Sequence, residues 1–402
     1  MGKFNQKSNC RQRDVSDRYM KIGIFIKNFA VGKQFDKSGV PNKSGAEFHG
    51  ENHAKLLLEY GDDVYIMTKK TYFFTKGREL INGIDVCRLH APFRWLEIFF
   101  RLCTTHKNTD CFYIIGTPKF SVWAILFAKF KKKPTTLVLT SKVEVFTKTN
   151  NWRTKIFSSC DNYIAISNKI RSGLIKKGKI PCHKVHLLPQ GVDTKRRFYP
   201  VGEVRKKFLR EKYKISTDGK IILFCARVVL NKGIDTMLKA WEIIHEVKPE
   251  LLLLVVGGGV NDLLEEIRIT SKKLDNSIMV VGEVERTDEY YQLSDIYLFP
   301  SRFEGLPTTL MEAISCGLPC IASRIGGCED LILPSKSGIL VEPESYKSFA
   351  EEVLNLVDNE RMSKEYSVSG RNYALKYLDC HTLLPSLRNI LKNIQIKDKK
   401  GD

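Results

Sequence analysis

Short apolar runs recur along this chain, separated by longer segments that mix apolar and polar residues. In the first half, these runs predict six strands, at residues 21–26, 64–68, 111–116, 135–140, 162–167 and 184–189. In the second half they predict six more, at residues 221–227, 251–257, 277–282, 296–300, 319–323 and 338–342. Apolar runs of this length without polar alternation are typical of strands buried on both faces of a parallel sheet.

Helical patterns fill much of the space between these strands. The clearest predicted helices are Ala46–Tyr60, Asp235–Val247, Pro307–Ser315, Tyr346–Asp358, Arg361–Tyr377 and Leu383–Ile394. A polar, basic segment at 189–220, with room for one short helix, separates the two series. We therefore predict an α/β protein of two doubly wound domains, with ligands bound in the cleft at the carboxyl ends of the strands.

The charge distribution divides the chain at about the same place. Residues 1–200 hold 37 basic and 15 acidic side chains, whereas residues 201–402 hold 28 and 30. This asymmetry indicates an anionic partner for the first half: nucleic acid, a membrane surface or a phosphorylated substrate. With 43% apolar and 27% charged residues, the composition excludes a collagen, a disordered tail protein and a polytopic membrane protein.

The cysteines and the chain start bear on the cellular compartment. Eleven cysteines lie at irregular spacing without a C-x-x-C pair, which favours buried, reduced thiols in a cytosolic protein. Residues 1–20 form a predicted flexible arm without the apolar stretch of a secretory signal. The longest apolar stretch, 120–130, is interrupted by Lys129 and is too short to span a bilayer.

The densest candidate site is the segment PSRFEGLPTTLMEAISCGLPCIAS at 300–323. It predicts a strand end, a loop and a helix whose first backbone N–H groups, near Thr308 and Thr309, suit a phosphate. Glu304 precedes this anion site, and Glu312 lies one turn into the helix. Two carboxylates eight residues apart either point into one site or are a loop glutamate and a solvated helix glutamate.

A second candidate is ARVVLNKGID at 226–235, where Arg227 closes a strand and Lys232 precedes a helix. Two cations at such a loop can clamp a pyrophosphate, and the alternative is a pair of surface cations. The glycines of VVGGG (255–259) and Gly45 in SGAE (44–47) are weaker signals. Each either lets a backbone approach a ligand or simply permits tight packing.

Other catalytic patterns are missing from the sequence. There is no P-loop motif and no G-x-S-x-G elbow. His49 and His53 have the i, i+4 spacing of metal ligands, but no H-E-x-x-H motif accompanies them. We therefore predict no metal site.

Taken together, these segments resemble the retaining glycosyltransferases of family 4, which use nucleotide sugars and have the two-domain GT-B fold. The resemblance rests on ARVVLNKGID, VVGGG, the run from 281 to 323, and LLPQGVDTKRRF at 187–198. It covers most of residues 20–395. It implies an acceptor-binding domain at 21–198, a donor-binding domain at 199–379, and a final helix at about 380–395 that crosses back to the first domain.

The resemblance also implies roles for individual residues. Glu304 contacts the transferred sugar as the catalytic residue, and Glu312 binds the ribose hydroxyls. The remaining donor contacts are the cations Arg227 and Lys232, the backbone of Leu306, Thr308 and Thr309, the backbone near Val284, and Gly45 from the first domain. The implied donor is a nucleoside-diphosphate sugar, with a UDP-sugar favoured, and neither a cofactor nor a metal is required.

The chain departs from the family in its first domain. The family often has a histidine after the fourth strand, where this chain has Thr140 or Ser141 in TTLVLTSKVE. We therefore name no catalytic histidine. The expected reaction moves a hexosyl unit to a hydroxyl acceptor in surface polysaccharide, lipid-linked oligosaccharide or glycolipid synthesis. The alternatives are a sugar-nucleotide epimerase, a non-catalytic relative or, less favoured, a nucleic-acid-binding protein.

Two segments of the basic half bear on location. WLEIFFRL at 95–102 and FSVWAILFAKFKKK at 120–133 place aromatic residues beside a basic run. This combination favours docking on an anionic membrane, and the alternative is a core helix with a solvated lysine cluster at its end. We expect a cytoplasmic protein on the cytoplasmic face of a membrane, with a saccharide or lipid-linked acceptor and no nucleic acid partner.

Overall fold

The computed structural model describes residues 19–29, 45–70, 76–140, 143, 146, 151–215 and 219–393. The first half of the chain builds an eight-stranded sheet with the order β3-β4-β2-β1-β5-β6-β7-β8. All its neighbours are parallel except β3 and β4. Its strands are β1 (Lys21–Ile26), β2 (Asp63–Lys69), β3 (Arg78–Ile81), β4 (Ile84–Leu89), β5 (Cys111–Ile115), β6 (Thr135–Leu139), β7 (Asn162–Ala165) and β8 (Val185–Leu187).

The second half builds a separate parallel sheet of six strands, in the order β11-β10-β9-β12-β13-β14. The strands are almost fully buried at the centre, as their continuous apolar sequences require. They are β9 (Ile221–Cys225), β10 (Leu252–Val256), β11 (Ile278–Gly282), β12 (Ile296–Phe299), β13 (Cys320–Ser323) and β14 (Gly338–Val341).

Helices connect the strands of both sheets. In the first half they are α1 (Gly45–Tyr60), α2 (Arg94–Cys103), α3 (Ser121–Phe130), α4 (Trp152–Phe157) and α5 (Asn168–Lys176). In the second half they are α6 (Glu203–Lys212), α7 (Ile234–Val247), α8 (Asn261–Lys273), α9 (Thr287–Leu293), α10 (Thr308–Ser315), α11 (Gly326–Ser335), α12 (Tyr346–Asp358), α13 (Glu360–Tyr373) and α14 (Cys380–Leu391).

Each sheet has one point where the strand order reverses. In the first sheet this point lies between β1 and β5, and in the second it lies between β9 and β12. Ligands of doubly wound proteins bind outside the carboxyl ends of the strands at such points. The loops after β9 and β12 are therefore the place where topology alone positions a site, and these loops carry the two sequence motifs singled out above.

The last helix returns to the first half of the molecule. α14 packs against α1, β5 and β6. Arg388 on α14 forms two hydrogen bonds of 2.9 Å with Asp62, which lies between α1 and β2. Both side chains are almost fully buried, and Asp62 also accepts from the Met20 N–H at 2.9 Å. α14 runs from Cys380 to Leu391 and lies where the resemblance implies a crossover helix at about 380–395.

Three expectations need correction. The hairpin β3–β4 was not predicted, because β3 is a half-exposed edge strand with alternating polar residues. Its turn, Asn82-Gly83, has positive φ at both residues, and the Asn-Gly pair was the signal that would have found it. α10 begins at Thr308, with Pro307 before it in an extended conformation. The predicted arm lies mostly outside the described residues, but Met20 at its end is buried.

Candidate active site

A tight turn after β9 brings Lys232 beside the loop that follows β12. Gly233 has φ of 75°, and a side chain there would collide with the carbonyl oxygen of Pro300. The Asn231 carbonyl oxygen accepts the Arg302 N–H at 2.9 Å and the Ser301 hydroxyl at 3.2 Å. Glycine at 233 is thus required for the two loops to pack together at the switch point of the sheet.

Lys232 and Glu304 meet across these two loops. Lys232 Nζ donates to Glu304 Oε1, which also accepts from the Ser301 hydroxyl at 2.8 Å. The Lys232 side chain is 16% exposed and that of Glu304 11%. Lys232 Nζ also lies 5.4 Å from the centre of the Phe299 ring. The structure therefore brings these two predicted residues together in one half-buried position.

Arg227 lies on the same edge of the sheet, directly after β9. Its side chain is exposed and makes no ion pair with any residue in the part of the chain that the structure describes. Arg227 is therefore exposed, as the alternative interpretation of this segment as a pair of surface cations requires. An uncompensated guanidinium next to the Lys232 turn leaves this edge of the cleft with a net positive charge available to a ligand.

The start of α10 supplies backbone donors to the same edge. Pro307 takes the position before the helix, and Met311 N–H donates to the Pro307 carbonyl oxygen at 3.2 Å. The amides of Thr308 and Thr309 come too early in the helix to have an acceptor within it. Thr308 and Thr309 are partly exposed, and Leu306 is buried at 9% exposure beneath them.

Glu312 lies deeper, on the buried face of α10. It is 5% exposed, so the solvated-helix alternative was wrong for this residue. Burial raises its pKa to about 7, an effect that the nearby Asp288 carboxylate reinforces and Arg197 opposes. A carboxyl group with a pKa near neutrality inside a cleft is typical of functional sites.

The other predicted donor contacts line the same domain. Val284 is half-buried in the loop between β11 and α9, beside the turn at Gly282, which has φ of 83°. The glycines of the VVGGG motif have a packing role: side chains at Gly257 and Gly259 would collide with the carbonyl oxygens of Ala226 and Val228. The motif thus allows β9 and β10 to continue side by side.

The first domain closes over this edge. A side chain at Gly305 would collide with the carbonyl oxygen of Thr140, which follows β6. Asn168 donates its backbone N–H and its side-chain amide to Asp330, at 2.7 and 3.0 Å. Thr140, one of the two residues that could take the place of the family histidine, is therefore next to the Glu304 loop, and the other, Ser141, lies outside the described residues. Gly45 begins α1.

Comparisons with known proteins identify relatives of this chain and of its fold. Residues 205–373 match the family of glycosyl transferases, group 1. The chain is 24% identical to the uncharacterized glycosyltransferase MJ1069 of Methanocaldococcus jannaschii over 83% of this chain and 91% of that one. A crystal structure of Anabaena Alr3699/HepE in complex with UDP superposes with a TM-score of 0.74 at 16% identity, covering 92% of this chain and 99% of that chain.

The chain has the GT-B fold, and its second domain carries the match to the group 1 glycosyl transferases. A further relative is the GDP-mannose-dependent alpha-(1-6)-phosphatidylinositol monomannoside mannosyltransferase of Mycolicibacterium smegmatis. It is 29% identical over 48% of this chain and 53% of its own length. The chain thus spans about half the length of this relative and most of the length of MJ1069.

The surface of the first domain carries a continuous aromatic patch on α2 and α3, which we call the aromatic face. Trp95 and Trp123 have ring centres 5.9 Å apart, and Phe99 and Phe127 have ring centres 6.0 Å apart. Six of its apolar side chains are 40–67% exposed: Trp95, Leu96, Phe99, Phe100, Trp123 and Leu126. No helix among the described residues has the length and apolar composition needed to cross a membrane.

Two sets of side chains in the first domain have the residue types of metal ligands. His49 and His53 have ring centres 4.2 Å apart, but both nitrogens of each ring already contact polar groups of the protein. Among the described residues, Asp85, Cys87 and His106 also cluster. Arg78 binds Asp85 through two hydrogen bonds, and Arg101 donates to the Cys87 sulfur, so cations already occupy this group.

Proposed function

We propose that the protein is a retaining glycosyltransferase of family 4 that moves a hexosyl unit from a nucleoside-diphosphate sugar to a hydroxyl acceptor. The observation that carries the proposal is the Lys232–Glu304 pair, which joins the loops after β9 and β12 at the switch point of the second sheet. The exposed Arg227 lies in the first of these loops, and the second leads into α10. Cations and free helix amides there suit a diphosphate, and the adjacent carboxylate suits a sugar.

The donor diphosphate is the leaving group, and its departure requires its growing negative charge to be stabilised. Arg227, Lys232 and the amides of Thr308 and Thr309 supply four sources of positive potential on one edge. This arrangement provides the stabilisation without a divalent ion, so the proposed reaction requires no metal. Lys232 must exchange its Glu304 partner for a phosphate oxygen when the donor binds.

The carboxylates then have separate tasks. Glu304, released from Lys232, accepts hydrogen bonds from the hydroxyls of the transferred sugar beside the reacting carbon. Glu312 accepts from the ribose hydroxyls, and the backbone at Val284 meets the base. HepE was crystallised with UDP and with UDP-glucose, which supports a UDP-sugar for this chain. The GDP-mannose dependence of the mycobacterial relative makes GDP-mannose the donor to test beside it.

The proposed chemical step occurs on one face of the sugar. The bond between the anomeric carbon and the phosphate oxygen breaks, and the acceptor oxygen forms its bond to the same face of that carbon. The acceptor proton passes to the departing phosphate oxygen. The Thr140 carbonyl oxygen is adjacent to Gly305 in the Glu304 loop, so in this proposal the first domain contributes backbone there rather than an imidazole.

We further propose that the acceptor is saccharide or lipid-linked and that the enzyme docks on the cytoplasmic face of an anionic membrane. The aromatic face is flanked by Lys129, Lys131 and Lys132, all exposed. Lys131 Nζ lies 5.5 Å from the ring centre of Phe130, which is 79% exposed. Aromatic insertion together with lysines near anionic headgroups, at about 1 kcal/mol for each lysine, gives reversible membrane binding.

A donor panel tests the proposed function. UDP-, GDP- and ADP-sugars are compared by thermal shift and by transfer to sugar and lipid acceptors. We expect one nucleotide class to stabilise the protein, by about 2.7 kcal/mol at 100 times its dissociation constant. Transfer should be lost in Lys232→Ala and Glu304→Ala and kept in Lys239→Ala, an exposed lysine on α7. Donor hydrolysis or epimerisation without transfer would overturn the proposal.

A further inference from the structure

A buried polar cluster connects the two sides of the cleft. We call it the junction cluster. Its members come from α1, β5, the segment after β8, and the start of α10: His49, His53, Tyr113, Gln190 and Thr308. The first four side chains belong to residues that are 4% exposed or less. Buried polar groups at this density remain stable only when their hydrogen bonds are made within the protein.

Four polar contacts link the junction cluster on the first-domain side, and three of them can be hydrogen bonds at the same time when both histidines are neutral. His49 Nδ1 lies 3.3 Å from Gln190 Oε1, and His49 Nε2 lies 3.4 Å from the Tyr113 hydroxyl. His53 Nε2 lies 3.3 Å from the Gln190 carbonyl oxygen. Since a carbonyl only accepts, His53 carries its proton on Nε2, and its Nδ1 accepts from the Tyr113 hydroxyl at 2.7 Å.

Both histidines are neutral at physiological pH. Burial lowers the pKa of His53 to about 4 and that of His49 well below its usual value. The junction cluster therefore orients the Gln190 side chain with neutral dipoles and places no cation beside the start of α10. Protonated imidazoles there would compete with Lys232 and Arg227 for the same anion.

Gln190 is the member that crosses between the domains. Its side-chain Nε2 donates to Thr308 Oγ1, on the first residue of α10. The backbone around it is fixed by the return of the chain. Gly191 has φ of 72°, and a side chain there would collide with Cys380. Val192 N–H donates to the Leu378 carbonyl oxygen at 2.8 Å. Gln190 thus extends from a rigid position to the first turn of α10.

We propose that Gln190 is a positioning residue that holds the first turn of α10 against the first domain and so sets the closed geometry of the donor-phosphate site. The expected effect on catalysis rests on the proposed function. The hydrogen bond between Gln190 and Thr308 does not depend on that function. Gln190 does not touch the reacting atoms. It acts through Thr308, whose backbone amide is one of the proposed phosphate donors.

Amide hydrogen exchange tests the tie in the unliganded full chain. Gln190→Ala should speed exchange at Met311 and Glu312 about tenfold, the effect of losing one hydrogen bond. Thr308→Val should do the same, Thr308→Ser should not, and Gln190→Ala with Thr308→Val should add no further increase. Asn162→Ala is the matched control, because its buried amide binds the Ile390 carbonyl oxygen on α14 and no part of α10. Unchanged exchange in Gln190→Ala would overturn the inference, as would fully additive effects.

Kinetics tests the catalytic consequence with the same variants. Gln190→Ala should raise the KM for the nucleotide sugar about tenfold and leave the KM for the acceptor unchanged. Thr308→Val should raise the same donor KM, and Thr308→Ser should keep it close to the wild-type value. An equal rise in both constants would contradict a positioning role at the donor. If the wild-type chain transfers no sugar from any donor, the proposed function fails, while the exchange measurement still decides whether Gln190 holds α10.

Discussion

Lys232 Nζ donates a hydrogen bond to Glu304 Oε1 across the loops that follow β9 and β12. The pair is half-buried, and Ser301 donates to the same carboxylate oxygen at 2.8 Å. In the unliganded protein each residue therefore neutralises the other. Donor binding must separate them, because the proposed roles direct the lysine to a phosphate and the carboxylate to a sugar.

Replacing Lys232 tests this exchange of partners. Lys232→Met keeps most of the apolar length of the side chain and removes the charge, so we expect UDP or GDP affinity to fall about 10- to 100-fold, as for a lost charge-assisted hydrogen bond. Isothermal titration calorimetry with the free nucleoside diphosphate measures this affinity. Lys239→Met, on α7 of the same domain, should bind like wild type, and equal affinities in all three proteins would contradict the role.

Glu312 makes stability depend on pH in a defined window. Its pKa in the folded chain is about 7, above the ordinary value of 4.5. Between pH 4.5 and pH 7 the folded chain therefore keeps a proton on Glu312 that the unfolded chain has lost. The free energy of unfolding therefore falls as pH rises from about 4.5 to 7. Glu312→Gln removes this contribution, which amounts to at most about 3 kcal/mol.

Chemical denaturation at pH 5 and pH 8 measures the difference between Glu312→Gln and wild type. The variant should gain stability relative to wild type as pH rises, while its nucleotide affinity at pH 8 should fall because the amide replaces a carboxylate at the ribose. A pH-independent difference between the two proteins would show that Glu312 does not titrate in this window.

The buried pair of Asp62 and Arg388 fixes the crossover helix. Removing one partner leaves an uncompensated buried charge, so Asp62→Ala or Arg388→Ala should each destabilise the fold by about 3–5 kcal/mol. Denaturant unfolding is the measurement. Arg361→Ala is the control, because its pair with Glu365 is exposed and contributes about 0.5 kcal/mol or less. Losses as small as the control's would show that α14 is held by its apolar contacts alone.

Much of the fold was readable from the sequence because its strands are continuous apolar runs. The twelve predicted strands are all present, with bounds shifted by one or two residues. β3 was missed because an edge strand faces solvent and alternates, which weakens the apolar signal, although Asn82-Gly83 marked its turn. β4 is buried, but its sequence IDVCRL interrupts the apolar run with Asp85 and Arg88. The pattern of apolar residues reports burial on both faces, and edge strands lack it.

The candidate site was readable only on the donor side. Arg227, Lys232, Glu304 and the start of α10 lie in continuous segments that end at strand termini, so local sequence placed them. Gln190 and Tyr113 are brought together by folding over long sequence separations, and no local pattern marks such a contact. The burial of Glu312 was equally invisible, because a glutamate in a helix is usually solvated.

Membrane docking is checked by vesicle sedimentation. The wild-type chain should bind vesicles that contain anionic lipid and bind neutral vesicles weakly. Trp95→Ser with Phe99→Ser should lose binding to both through lost insertion, and charge reversal at Lys131 and Lys132 should reduce only the preference for anionic lipid.

The control for docking is an exposed aromatic residue on the other half of the molecule. Phe208 on α6 is 51% exposed, and Phe208→Ser should bind vesicles like wild type. If the wild-type chain fails to sediment with either kind of vesicle, the aromatic face has another role.

Metal independence is a separate expectation from the donor site. Because Arg227, Lys232 and the start of α10 supply the positive potential, treatment with EDTA should leave the transfer rate within about twofold of the untreated enzyme. Re-addition of magnesium or manganese should have no larger effect. A rate that collapses with EDTA and returns with one of these ions would place a metal at the diphosphate.

The configuration of the product tests the central claim most directly. The reaction is run with an α-linked nucleotide sugar and with the acceptor identified in the donor panel. NMR of the anomeric proton, recorded early, distinguishes an α-linked from a β-linked product. The account predicts an α-linked product that forms with wild type and not with Lys232→Ala or Glu304→Ala. A β-linked product, or an α-linked product formed at wild-type rates by both variants, would contradict it.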